Sequence, residues 1–245
     1  MLEGYGPSTY GDRIAGFYDE LHQHLFDVDQ TVATLAELCA GGRALELAIG
    51  TGRVALPLAA RGIEVHGIDA SEAMVAKLRA KPGGRLIPVT IGDFAEVPAE
   101  GKSSLIFVLF NTIFCLNSQD DQVRCFQNVS RHLATGGLFV VEAFVPDLTR
   151  FARGQNTQTS RVEIDRVVLE TSRHDPVKQQ VVSQHVIITE AGTRLYPIQI
   201  RYAWPSELDL MARLAGLRLR DRWSDWKRTP FTAASTNHVS VYERA

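Results

Sequence analysis

Short apolar runs alternate with helical stretches in the first half of the chain. Nearly continuous apolar segments predict strands at 44–49, 63–68, 85–91, 105–110 and 138–143. Apolar residues at three- and four-residue spacing predict helices between them, at 53–61, 71–80 and 120–133. Strands that alternate with helices and are apolar on both faces are typical of a parallel sheet covered on both sides. The fold class that we expect is therefore α/β, with a doubly wound, Rossmann-like sheet.

The flanking parts of the chain have other patterns. Residues 10–39 keep helical spacing up to Gly41 and Gly42 and predict a helical cap. Segments rich in Val, Ile and Tyr predict an antiparallel meander at 161–171, 180–189 and 194–204. Pro205 begins a last helix, which precedes two strands at 217–223 and 238–242. We expect one domain with four parts: cap (1–42), core (43–146), β insertion (160–204), and final helix with two strands (205–245).

The main chemical signal is a glycine turn between the first strand and its helix. It runs Glu46-Leu47-Ala48-Ile49-Gly50-Thr51-Gly52. Glycine permits a tight turn and a close ligand, and the helix that follows offers free N–H groups. Gly50-x-Gly52-x-x-Ala55 followed by Asp69 also satisfies a dinucleotide fingerprint. An NAD(P)-dependent oxidoreductase is therefore one interpretation, and a plain turn is another.

Acidic residues near three successive strand ends favour S-adenosylmethionine over a dinucleotide. Glu46 suits the cationic methionine end of that ligand and is poorly placed beside a pyrophosphate. Asp69 can accept both ribose hydroxyls. Asp93 can accept the adenine amino group while Phe94 packs on the ring. The carboxyl ends of parallel strands share one edge, so these acids converge on one crevice. The chain also lacks the Tyr-x-x-x-Lys pair of short-chain dehydrogenases.

Together these motifs resemble the class I S-adenosylmethionine-dependent methyltransferases, from about Tyr10 to Pro146. Ala48 replaces the family's usual first glycine, and Ser104 stands where an Asp is common. The resemblance implies a seven-stranded sheet whose last strand is antiparallel, with the β insertion after strand five covering the active site. Residues 141–146 are similar to amino-sugar N-methyltransferases, and such insertions also recur in glycine N-methyltransferase-like enzymes. The implied cofactor is S-adenosyl-L-methionine, with S-adenosyl-L-homocysteine as product.

Several residues are candidates for this site. Tyr10, Arg13 and Tyr18 are expected to close over the methionine end, with Arg13 pairing the ligand carboxylate. The full set of predicted cofactor-binding residues is Tyr10, Arg13, Tyr18, Glu46, Ala48, Gly50, Gly52, Asp69, Ala70, Met74, Asp93, Phe94, Phe110 and Asn111.

Candidate catalytic residues are fewer. Glu142, at the end of the fifth strand, is a candidate to orient the acceptor or act as general base. His22 and His238 are the other base candidates. For each of the three, a purely structural or surface role is the alternative. No metal-ligand spacing is visible, and we expect no metal.

Composition narrows the class of partner. The 245 residues carry a formal net charge of -2, which favours neither nucleic acid nor an anionic membrane. Three cysteines without Cys-x-x-Cys spacing fit a reducing cytoplasm. The expected function is in-line methyl transfer to an O or N atom of a small molecule, of the kind found in secondary metabolism, by a cytoplasmic monomer or homodimer. A non-methylating protein that binds S-adenosylmethionine stays open, because every motif concerns the cofactor.

Overall fold

A computed structural model describes residues 2–22 and 27–245, apart from the side chain of His22. The helices in these ranges are α1 (Thr9–Ile14), α2 (Tyr18–His22), α3 (Val28–Cys39), α4 (Ala55–Ala60), α5 (Glu72–Ala80), α6 (Gln119–His132) and α7 (Pro205–Leu214). The strands are β1 (Ala44–Leu47), β2 (Val65–Asp69), β3 (Val89–Ile91), β4 (Ser103–Val108), β5 (Leu133–Phe144), β6 (Gln155–Val162), β7 (Arg166–Asp175), β8 (Gln180–Thr189), β9 (Gly192–Arg201), β10 (Leu217–Trp223) and β11 (Asn237–Arg244). In the described residues, no helix is long and apolar enough to cross a membrane.

The large sheet has seven strands in the order β10-β11-β5-β4-β1-β2-β3. Strand β1 pairs in parallel with β2 and β4, and the parallel pairing continues to β3 and β5. Strand β11 is antiparallel to both of its neighbours, β5 and β10. The predicted doubly wound sheet with an antiparallel last strand is thus confirmed.

Alternating side chains of the central strands form a core on each face of this sheet. On one face, Leu45 and Leu47 of β1 share a cluster with Phe126 of α6 and Leu208 of α7. On the other face, Ala44 shares a cluster with residues of α3 and α4. Burial on both faces explains why the central strands appear in the sequence as continuous apolar runs.

A second sheet, here called the roof, has four antiparallel strands in the order β6-β7-β8-β9. The expected first strand of the meander, at 161–171, is wrong, because β6 ends at Val162 and β7 begins at Arg166. The sequence pattern does not predict β6, because its first six residues are all polar: Gln155-Asn156-Thr157-Gln158-Thr159-Ser160. Residues 155–162 form a strand through their antiparallel pairing with β7, although their side chains show no strand pattern.

Two other predicted elements differ from the structure. The predicted helical cap is broken between α1 and α2, where Gly16 disfavours helix. Asp27 then begins α3 as its N-cap by accepting the backbone N–H of Gln30. The third strand begins at Val89 and not at residue 85, because a 3-10 turn at Gly84–Leu86 precedes it.

Candidate functional site

One cavity of about 950 Å³ lies between the carboxyl edge of the large sheet and the roof. The glycine turn, the ends of β2 and β4, helices α1 and α2, and strands β8 and β9 all contribute to its lining. Single-ligand pockets range from about 300 to 1,000 Å³. The volume lies at the upper end of that range, as expected of a site for a large ligand.

The glycine turn brings its backbone directly to the cavity wall. Ala48, Gly50 and Gly52 are in the left-handed region, with φ of 56°, 57° and 76°. A Cβ on Gly52 would lie 2.2 Å from Cδ1 of Leu78, so the turn packs against α5 here. The N–H of Gly50 donates to Oδ2 of Asp69 at 2.7 Å, which fixes the turn against the end of β2.

Two buried carboxylates meet at this turn. Oδ1 of Asp69 accepts the N–H of Ser71 at 2.8 Å, and burial raises the pKa of Asp69. Glu46 is 4% exposed, and its Oε2 has no hydrogen-bond partner among the described residues. Burial, and then the neighbouring Asp69, raise the pKa of Glu46 well above its usual value. A buried carboxyl oxygen without a partner is costly, so this wall is complementary to a cationic ligand group.

Arg53 places a positive charge in the same wall. Its guanidinium lies 4.3 Å from the ring centroid of Phe110 and 3.3 Å from the hydroxyl of Tyr18. Its charge lowers the pKa of Glu46, although less than burial raises it. A carboxylate and a guanidinium side by side suit a zwitterionic ligand end, such as an α-amino acid group.

The turn after β4 is held by hydrogen bonds to the carboxylate of Glu142 and to the side chain of Asn111. Phe110 and Asn111 both have positive φ, 54° and 65°. Glu142 Oε2 accepts the N–H of Phe110 at 3.0 Å, and Glu142 Oε1 accepts Nε1–H of Trp226 at 2.8 Å. Asn111 Oδ1 in turn accepts the N–H of Phe144 at 2.6 Å. These bonds stabilise a strained turn whose Phe110 and Asn111 line the cavity.

Helix α2 is tied to the glycine turn by a small ionic cluster. Oδ1 of Asp19 accepts the hydroxyl of Thr51 at 2.6 Å, and Oδ2 lies 2.7 Å from Nζ of Lys81. Lys81 also donates to the carbonyl oxygen of Thr51 at 2.9 Å. The cluster holds the N-terminal helices over the cofactor half of the cavity.

The roof half of the cavity is apolar at one end and polar at the other. Val181, Ile200 and Tyr202 form the apolar end, beside Phe144 and Phe151. The polar end is formed by Arg150, Gln158, Glu170, Ser183 and His185.

Comparisons with known proteins identify this arrangement. A model described as a methyltransferase domain matches residues 44–137. The solved structure of the CcbJ methyltransferase from Streptomyces caelestis is 42% identical, with a TM-score of 0.90, and the match covers 98% of this chain and 100% of that chain. The chain belongs to the class I S-adenosylmethionine-dependent methyltransferases. The cofactor of this methyltransferase is S-adenosylmethionine, and the unpartnered oxygen of Glu46 fits a ligand with a cationic end.

Two further relatives extend the comparison. The cypemycin N-terminal methyltransferase from a Streptomyces species is 27% identical to this methyltransferase, over 97% of this chain and 98% of its own length. The S-adenosylmethionine-bound amino pentose methyltransferase CalS10 from Micromonospora echinaspora is 21% identical, with a TM-score of 0.70 over 93% of this chain and 96% of that chain. At that identity, the second match speaks for the fold alone.

The predicted cofactor residues of the methyltransferase line the cavity with the exception of Arg13 and Gly52. Arg13 is exposed, because α1 turns its Ile14 side toward the interior. Arg13 is therefore not among the lining residues, whereas Arg53 is. Gly52 packs against Leu78 below the turn.

Neither Glu142 nor His238 is among the residues that line the cavity. The carboxylate of Glu142 is occupied by Phe110 and Trp226. His238 is fully buried and its Nδ1 lies 2.8 Å from Oγ of Ser240, while burial lowers its pKa to about 3. The side chain of His22 lies outside the described residues.

Sequence reasoning missed Arg53 and His185 as site residues. Arg53 directly follows Gly52, so its place beside the ligand turn was a usable signal. His185 shares the two-residue period of Val181 and Ser183 on β8, and all three face the cavity. Only the pairing of the roof strands reveals its acidic neighbour.

Proposed function

We propose that this methyltransferase methylates the nitrogen of an amine in a small natural product. The observation that carries the proposal is the single cavity, which joins an acid-lined cofactor half to a half enclosed by the roof. The name of one relative also supports an amine acceptor, since it is an N-terminal methyltransferase.

The cofactor half offers one group for each part of the cofactor. S-adenosylmethionine supplies a methyl group already activated on its sulfonium. We assign Asp69 to the ribose hydroxyls, and Asp93 with Phe94 to the adenine. Glu46 and Arg53 are assigned to the ammonium and the carboxylate of the methionine end, because an acidic and a basic side chain lie in one wall.

The roof half is assigned to the acceptor. Methyl transfer from a sulfonium needs an acceptor that is positioned and desolvated. Phe144 and Phe151 provide an apolar wall for its body. Tyr10 and Tyr18, whose pKa values burial raises, provide neutral phenols near Arg53.

We also propose that the enzyme acts in the cytoplasm as a monomer or homodimer, with neither nucleic acid nor membrane as its partner. The formal net charge of -2 supports this, because it provides no field for a polyanion. An acceptor chamber roofed by a sheet favours small molecules.

The test uses radiolabelled S-adenosylmethionine and matched acceptors. The two amine probes are methyl 4-amino-4,6-dideoxy-D-glucoside and a tetra-alanine amide with a free N-terminus. Their controls carry a hydroxyl in place of the amine. We expect label on at least one amine and on neither control. Label on the hydroxyl compounds alone, or on none while S-adenosylhomocysteine binds, would contradict the proposal.

A further inference from the structure

A row of polar side chains crosses the roof at the cavity wall. Gln158 of β6 is opposite Glu170 of β7, and Glu170 is opposite His185 of β8. All three line the cavity. Residues directly opposite on one face of a sheet have Cβ atoms about 4.5–5.5 Å apart. The imidazole of His185 therefore has a carboxylate as its neighbour at the surface that faces the acceptor.

The carboxylate in this row is fixed from its far side. Oε1 of Glu170 accepts Nη2–H of Arg150 at 3.0 Å, and Oε2 accepts from Nε2 of Gln158 at 3.4 Å. The side chain of Glu170 is 21% exposed. Two donors therefore hold the side chain of Glu170 in place beside His185.

The imidazole of His185 is available to accept a proton. Burial lowers its pKa below the usual histidine value, and the charge of Glu170 acts in the opposite direction. His185 is therefore neutral at about pH 7. Other titratable or charged groups on the elements around this row include Arg150, Tyr10, Tyr18 and Tyr196, and also Arg166 of β7, which pairs with Glu20 of α2. Arg150 is paired with Glu170. Burial raises the pKa of Tyr10 and of Tyr18, so both phenols stay neutral.

The row lies beside the helices that cover the methionine end. His185 is opposite Tyr196 of β9, whose ring stacks on Phe17 with centroids 6.4 Å apart. Tyr196 also packs against Ile14 of α1. The next helix, α2, carries Tyr18, whose hydroxyl accepts a hydrogen bond from Nη2 of Arg53 at 3.3 Å. His185 thus lies at the boundary between the roof half and the cofactor half of the cavity.

We propose that His185 is the catalytic base that takes the proton from the acceptor ammonium, and that Glu170 is the positioning residue that holds its ring. The inference rests on the proposed N-methylation. The ammonium gives one N–H proton to the imidazole, and the freed lone pair forms the new N–C bond. The electron pair of the broken C–S bond stays on sulfur, and the proton passes from His185 to water.

The first experiment measures kcat/KM of His185→Gln against pH. The probe is whichever of the two amines named above the wild type methylates faster. We expect a loss of about 100-fold near pH 7. The loss shrinks to less than about tenfold near pH 9.5, because the probe amine then loses its proton in solution; the pKa of the α-amine of the peptide probe is about 8. The Kd for S-adenosylhomocysteine stays within about twofold.

Val186→Thr is the matched control, because Val186 is the next residue on β8 and points to the opposite face of the roof. It should keep wild-type kcat/KM at both pH values. A His185→Gln loss equal at the two pH values, or a loss below about twofold near pH 7, would overturn the base assignment.

Glu170→Gln provides a second readout, the position of the acidic limb of the kcat/KM profile, which does not depend on a large loss of kcat/KM. The charge of Glu170 raises the pKa of His185, so its removal moves the acidic limb of the kcat/KM profile to lower pH. A purely structural role for Glu170 leaves that limb in place and overturns the positioning role. If the wild type methylates neither amine, the N-methylation proposal fails and the base assignment with it. If it does and His185→Gln behaves as wild type, only the base assignment fails.

Discussion

We expect Glu46 to strengthen ligand binding and to lower the stability of the free protein. Its raised pKa means that the folded chain holds this proton more tightly than the unfolded chain. Its contribution to stability is therefore present below the unfolded pKa of about 4.3 and lost as pH rises through the folded value. At neutral pH, the isosteric Glu46→Gln should stabilise the free protein by about 1 kcal/mol, or roughly 2–4 °C in Tm. It should weaken S-adenosylhomocysteine binding by about tenfold or more.

Thermal unfolding and calorimetric titration measure the two effects together. Glu100→Gln, at an exposed loop position, should change neither. A Glu46→Gln protein that is less stable than wild type and binds the ligand equally well would refute this account of Glu46.

Arg53 should act on one end of the cofactor alone. Arg53→Met removes the proposed partner of the ligand carboxylate, so it should raise the Kd of S-adenosylhomocysteine by about 30-fold or more. The Kd of 5′-methylthioadenosine, which lacks the amino-acid end, should change by less than about threefold. Arg61→Met serves as control, since Arg61 is exposed at the end of α4. Equal weakening of both ligands would remove Arg53 from this role.

At the residue scale, motif residues were predictable and their partners were not. The strand-end acids Glu46, Asp69 and Asp93 lie where parallel strands end, so their convergence follows from topology. Arg53 and His185 depend on contacts between distant segments. His185 meets Glu170 only because β7 and β8 pair in one particular register.

At the element scale, the Asp19–Lys81 ion pair should control how long the cofactor stays bound. Lys81→Met removes the contact between α5 and α2, so S-adenosylhomocysteine should dissociate about two- to fivefold faster at low salt. The expected size is modest because a half-exposed ion pair is worth at most about 1 kcal/mol. Stopped-flow dissociation at low and at about 1 M salt measures it, since salt screens the pair.

Arg218→Met is the control for the loss of an exposed ion pair, since Arg218 pairs with Glu243 on the far edge of the large sheet. It should leave the dissociation rate unchanged. The idea fails if Lys81→Met and wild type dissociate at the same rate at low salt.

Elements were predictable where burial is strong. Strand β4 is nearly all buried and was placed within two residues, whereas β6 is polar and was missed. The hydrophobic pattern of a strand reflects the surfaces against which its side chains pack. Strand β6 lies at the edge of the roof and is mostly exposed, so its residues show little hydrophobic pattern.

At the scale of the whole molecule, pH should couple to ligand stabilisation. Burial raises the pKa of Glu46, Asp69 and Glu142 alike. The free protein should therefore lose stability as pH rises through the raised pKa values of these groups. A ligand at about 100 times its Kd adds about 2.7 kcal/mol. The Tm increase caused by a fixed excess of S-adenosylhomocysteine should be larger at about pH 7.5 than at about pH 5.5, because a larger fraction of Glu46 is charged at the higher pH.

Differential scanning calorimetry at the two pH values tests this coupling. In Glu46→Gln the ligand-induced increase should become nearly independent of pH. An increase that is larger near pH 5.5 in the wild type would show that the charge of Glu46 does not assist binding.

The two halves of the cavity come from separate stretches of the chain. The glycine turn and the strand-end acids lie between residues 46 and 93, and the four roof strands lie between residues 155 and 201. A change in the second stretch leaves the cofactor contacts of the first intact. Acceptor preference is thus free to diverge by exchange or drift of one contiguous segment, while the donor chemistry is inherited unchanged. In a lineage of such enzymes, substitutions in the roof can alter the product without altering the donor contacts.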